Sequence, residues 1–236
     1  RQFRESVPRL QARKPCCTLP SMNITWPRRF LTLIPLAVIS LTLHNHARGQ
    51  EVANKSYTTA DKQRVVRLEI EIPAPISEVW SAFTTAEGLR SWMAPVAATD
   101  LKVGGIMEAS YNPKAKIGDP ANIKNRIISY VPESMLSLQV AQFPPTYPFD
   151  TEKAGKLWSV IQFERISEKK TRVIVIGLGI EEGEEWDKLH SFSVRANGYS
   201  LAMLHKRFTD GPVDWDAMFK QAAPKASPKP KPKSKK

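Results

Sequence analysis

Between Gln50 and Ala223 this chain has no cysteine. For that stretch a disulfide framework, a thiol nucleophile and a Cys-ligated zinc drop out together. Only two histidines remain there, His190 and His205, fifteen residues apart and without a metal-ligand spacing between them. A Gly-x-Ser-x-Gly elbow is missing, so a serine hydrolase lacks its usual marker. The longest apolar run, residues 30–43, is fourteen residues and contains Pro35; a spanning helix needs about 20. These absences lead us to expect no catalytic residue, no metal and no cofactor.

What is abundant is positive charge, but it sits at the ends. The 236 residues hold 35 Lys/Arg against 23 Asp/Glu. Residues 1–49 carry eight of the basic residues and one acid, and residues 224–236 carry six lysines and no acid. Positions 50–223 are left with 21 basic and 22 acidic residues. A basic chain invites a nucleic-acid reading, yet this middle is nearly neutral, so no specific nucleic acid is expected.

The amino-terminal region reads as an export signal. Residues 1–21 show no apolar periodicity and are expected to lie upstream of a start at Met22. From there a short region ending in Arg28-Arg29 precedes the apolar run, and a polar stretch ends in Ala47-Arg48-Gly49. Those are the three parts of a secretory signal peptide, here residues 22–49, with cleavage expected near Gly49-Gln50. An uncleaved anchor is the alternative. The expected location is periplasmic or secreted, and cleavage would remove both cysteines, Cys16 and Cys17.

Residues 50–63 read as a polar leader. Val66, Leu68, Ile70 and Ile72 then alternate with Arg67, Glu69 and Glu71, which predicts a half-buried strand. Pro73-Ala74-Pro75 ends it and opens a helix with Ile76, Val79, Trp80 and Phe83 on one face. Thr84 and Glu87 form a capping box for a second short helix. Strands are expected at 98–103 and 106–111 around a Gly104-Gly105 turn, then at 122–130, 135–141, 157–166 and 171–178. Long loops fall at 112–121 and 143–156. A final helix over 183–208 is acidic at its start and basic at its end, as the helix dipole favours. Trp186, Leu189, Phe192, Ala196, Tyr199 and Met203 mark its expected inner face. The sum is an α+β fold: a curved antiparallel sheet of about six or seven strands gripping one long carboxy-terminal helix, with two short helices after strand 1. The domain is placed at 64–212, with a linker at 213–223.

Residues 72–95 (IPAPISEVWSAFTTAEGLRSWMAP), residues 100–111 (DLKVGGIMEASY) and the long last helix resemble the START-like helix-grip, or SRPBCC, superfamily. Within it they resemble the homologues of the activator of the ninety-kilodalton heat-shock protein's ATPase. The resemblance implies a pocket between helix and sheet, which across the superfamily holds lipids, hormones, polyketides or nothing identified. The heat-shock partner is cytosolic, whereas an export signal would take this chain elsewhere.

The pocket wall is expected from Trp92, Met107, Tyr111, Trp158, Phe163, Phe192, Tyr199 and Met203, with Arg195 and Tyr199 as polar anchors at its mouth. The proline-aromatic loop 143–149 is a candidate lid. Gly177, Gly179 and Gly183 have the spacing of a variant dinucleotide loop, but four glutamates crowd them and no βαβ unit surrounds them, so a turn is expected. Asp187 and His190 lie on one helix face, as an acid–base pair or as a solvated contact. The expected partner is a small apolar or amphipathic molecule. An enzyme using the same cavity, cyclase- or hydrolase-like, and a co-chaperone-like interaction module are the alternatives. The Lys/Pro tail, residues 224–236, is expected to be extended and disordered. It reads either as a solubilising tail or as a weak attachment to an anionic envelope surface.

Overall fold

The computed structural model describes residues 51–222; the expectations for residues 1–21, the signal peptide 22–49 and the tail 224–236 lie outside the described residues. Short strands β1 (Ala53–Asn54) and β2 (Tyr57–Thr58) precede β3 (Arg64–Ile72). Helices α1 (Ile76–Thr84) and α2 (Ala86–Arg90) follow. The meander comprises β4 (Val96–Thr99), β5 (Ile106–Ser110), β6 (Ile123–Val131), β7 (Met135–Gln142), a short α3 (Thr151–Gly155), β8 (Trp158–Ser167) and β9 (Lys170–Ile180). Helices α4 (Glu184–Asp210) and α5 (Trp215–Ala222) complete the described residues.

The strands form one antiparallel sheet in the order β1-β3-β9-β8-β7-β6-β5-β4, with β2 also on β3. Register shifts in the β3–β9, β6–β7 and β8–β9 ladders bend it. Nine strands are present rather than six or seven, because the leader supplies two. A buried charge explains their attachment. Glu69 lies on the outer face of β3, only 7% exposed. Lys55 donates to its carboxylate at 2.6 Å and Arg67 at 2.8 Å. Burial raises the pKa of Glu69, and the two cations more than offset this, holding it below the usual carboxylate range.

The expected alternation of β3 is present: Val66, Leu68, Ile70 and Ile72 are at most 2% exposed. Helix α1 closes one end of the sheet by an edge-to-face aromatic cluster. Phe83 packs on Trp92 and Phe163 at centroid distances of 5.0 and 5.2 Å, and Trp80 meets Phe163 at 5.3 Å. The cap of α2 falls one residue later than its sequence suggests. Thr85, not Thr84, accepts from the Gly88 amide at 2.9 Å, while the Thr84 hydroxyl donates back to the Trp80 carbonyl.

The β4–β5 connection also departs from a two-residue turn. Pairing stops at Thr99↔Met107, and Lys102 to Gly105 closes by a backbone bond while Gly104 takes φ +80° and donates to the Ile127 carbonyl. Helix α4, 27 residues long, extends about 40 Å over β3 and β9. The segment after it is a helix rather than a linker. Trp215 of α5 donates its indole N–H to the Arg90 carbonyl at 2.7 Å, tying α5 to α2.

The glycine triplet is split between the sheet and the start of α4. Gly177 and Gly179 lie inside β9, and Gly183 caps α4. Gly179 has φ +87°, and a Cβ there would sit 2.5 Å from the Lys156 carbonyl oxygen. Gly177 has no positive φ, and its Cβ would touch Val66 at 3.3 Å. Gly179→Ala should therefore cost about 2 kcal/mol or more, and Gly177→Ala clearly less, as read from urea denaturation midpoints.

Candidate functional site

Between the concave face of the sheet and α4 lies a cavity of about 160 Å³. Its floor alternates along each strand, as the pleat requires. Met107 of β5 stands opposite Asn125 of β6, and Leu138 of β7 opposite Ser159 of β8, with Ile161 and Val175 beside them. Phe83, Trp92 and Met93 wall the end near α1, and Asn197, Ser200 and Leu201 of α4 form the roof. The Trp92 indole is fixed by donation to the Ala82 carbonyl at 3.0 Å.

The nine residues expected to line a pocket are distributed over five places. Trp92 and Met107 line the cavity. Tyr111, Tyr199 and Met203 line a narrow crevice beside it, together with Trp92, Met93, Ser200 and Trp215. Partial burial raises the pKa of the Tyr111 phenol, and neighbouring Tyr199 raises it further. Phe163 packs in the core beneath α1. Trp158 is 42% exposed, because Ser159, Ile161 and Phe163 take the inward positions of β8 and the residue before them must face out. Arg195 is exposed on α4 and lines none of these spaces.

Phe192 has a different partner. Phe149 lies 5.0 Å from its ring, Tyr147 6.1 Å, and Phe143 stacks on Tyr147 at 4.3 Å. The loop 143–149 thus lies against α4 through an aromatic cluster. Outside it, an open groove of about 410 Å³ runs between Pro144, Pro145 and the loop holding Asn112 and Asp119, and reaches Tyr111.

The polar lining residues Asn125, Ser159, Asn197 and Ser200 were not expected from the sequence. Apolar periodicity cannot flag a position whose inward side chain is polar. The only signal is indirect: Asn125 and Ser159 share strand parity with Ile127 and Ile161.

A family described as Activator of Hsp90 ATPase homolog 1-like protein matches residues 73–206, more than half of the chain. The chain belongs to that family. Its fold is accordingly the helix grip of the SRPBCC superfamily. Among solved structures it is similar to the Aha1 dimer of Colwellia psychrerythraea, at 18% identity and TM-score 0.49, over 62% of this chain and 97% of that one. It is also similar to CalU16 of Micromonospora echinospora, at 16% identity and TM-score 0.47, over 73% and 92% of the two chains. No curated protein matches the sequence.

No hydrogen bond joins Asp187 to His190 among the described residues. Asp187 binds Arg64 at 2.5 Å instead. Burial lowers the pKa of His190 from its ordinary value near 6.5, Arg64 lowers it further, and Asp187 opposes both. The folded state therefore resists protonation there. Its stability from this group is complete above about pH 6.5 and is lost as pH falls through the lowered value. His190→Gln should shrink the drop in melting temperature between pH 7.5 and pH 5.5, measured by scanning calorimetry.

Proposed function

We propose that this protein is an exported, non-catalytic binding domain that encloses a small amphipathic molecule between its sheet and α4. The cavity carries the reading. Beside it the core is tightly packed, with Leu201 and Leu204 of α4 and Val66, Leu68 and Ile70 of β3 at most 2% exposed, while the lining residues Met93, Asn125, Ser159, Asn197 and Ser200 are half-buried and open it to solvent. An occupant of this space of about 160 Å³ would remove the apolar floor from water, which favours binding. It is smaller than the roughly 300–1,000 Å³ of drug-sized ligand sites, so one ring or a short chain fits.

Export rests on the sequence alone, through the ordered signal-like segments before Gln50. Placement outside the cytoplasm separates the chain from a cytosolic heat-shock partner. Recovery of the native protein from the cytoplasm with residues 22–49 still attached would overturn this half of the reading.

Binding is tested by thermal shift with the full chain and indole, a neutral one-ring probe. At ten times its dissociation constant, indole should stabilise by about 1.4 kcal/mol, raising the melting temperature by roughly 3–6 °C. Ser159→Phe, which fills the cavity, should melt near the parent and show no shift. An equal shift in that variant would place the binding elsewhere.

A further inference from the structure

Resting on that reading, we propose that the cavity selects an uncharged molecule bearing one group that both donates and accepts a hydrogen bond, a phenol-like alcohol or a primary amide. The cavity has two chemically distinct sides. Met107, Leu138, Ile161 and Val175 supply an apolar floor, while Asn125, Ser159, Asn197 and Ser200 bring neutral polar groups to the same space.

The hydrogen-bonding capacity left over there can be assigned atom by atom. Asn197 spends one Nδ2 proton on the Ser193 carbonyl at 2.9 Å and leaves its second N–H as a donor and Oδ1 as an acceptor. Ser200 donates its hydroxyl to the Ala196 carbonyl at 3.0 Å and keeps an oxygen lone pair. No side-chain hydrogen bond joins Asn125 or Ser159 to another described residue, so the Asn125 amide and the Ser159 hydroxyl can each donate and accept. Acceptors come from all four residues and donors from three. A ligand hydroxyl or carboxamide satisfies both kinds; an ether or a hydrocarbon leaves acceptors on the wall unpaired.

Charge is excluded on the same grounds. Among the described residues no Lys, Arg, His, Asp or Glu lines the cavity. A carboxylate or an ammonium would lose its hydration without gaining a counter-ion, which costs far more than neutral hydrogen bonds return. The size admits one ring, since an apolar cavity of about 150 Å³ takes up benzene.

The test compares phenol, toluene and benzoate, three rings of similar size, by titration calorimetry on the full chain. In a wholly apolar cavity toluene outcompetes phenol, because the hydroxyl is stripped of water for nothing. Here phenol should bind at least as tightly as toluene, and benzoate at least tenfold more weakly than either. Asn125→Leu and, separately, Ser159→Ala should make toluene the tighter ligand while toluene binding itself stays within about threefold; two variants guard against one failing to fold. Tighter binding of toluene by the parent protein, or benzoate within tenfold of phenol, overturns the proposed selectivity and leaves the cavity reading standing. Absence of binding by all three probes overturns the cavity reading itself.

Discussion

One sheet face and one helix must cover each other, and their widths do not match. Strands lie about 4.8 Å apart, so a nine-stranded sheet laid flat would be far wider than a helix of about 10 Å. The bulged ladders answer by bending the sheet around α4. Even so, α4 seats closely only on β3 and β9. The strands beyond them need other covers. The edge-to-face Trp80–Phe83–Phe163 cluster closes one end, and the Phe143–Tyr147–Phe149 cluster meets Phe192 on another part of α4. The cavity is the remainder between these covers, bounded by β5 to β9 below and by Asn197 to Leu201 above.

The elements that depend on local pattern were legible in the sequence. β3 reads from strict alternation, α1 from Pro75 and its apolar stripe, and α4 from its length and charge polarity. The rotation of α4 was legible only in its first two turns. Trp186 and Leu189 are buried as expected, but further along Leu201 and Leu204 face the core while Tyr199 is 53% exposed. The helix carries apolar side chains in several directions because several partners surround it. Phe192 serves the 143–149 loop, and Met203 and Tyr199 serve the crevice near Trp215. Periodicity reports the sum of those contacts, not the direction of any one. At the cavity itself the signal is inverted, since Asn197 and Ser200 look like solvent positions on a helical wheel.

The same limit explains the strand β8. Both Trp158 and Phe163 are large and apolar, and composition favours burying both. The pleat forbids it, since their separation of five places them on opposite faces. Residue type won the sequence argument there, and backbone geometry won in the fold. The leader failed for another reason: Ala53–Asn54 and Tyr57–Thr58 are too short and polar to announce strands. They join the sheet through ladder bonds and the Lys55–Glu69 pair, whose partners lie fourteen residues apart.

The fixed indole of Trp92 makes the interior optically readable. Its ring borders the cavity, is 2% exposed, and is pinned by a hydrogen bond to the Ala82 carbonyl. A pinned, dry fluorophore cannot change its emission by swinging into water. With the other five tryptophans replaced, a change in its quantum yield on adding a molecule reports an occupant beside the ring.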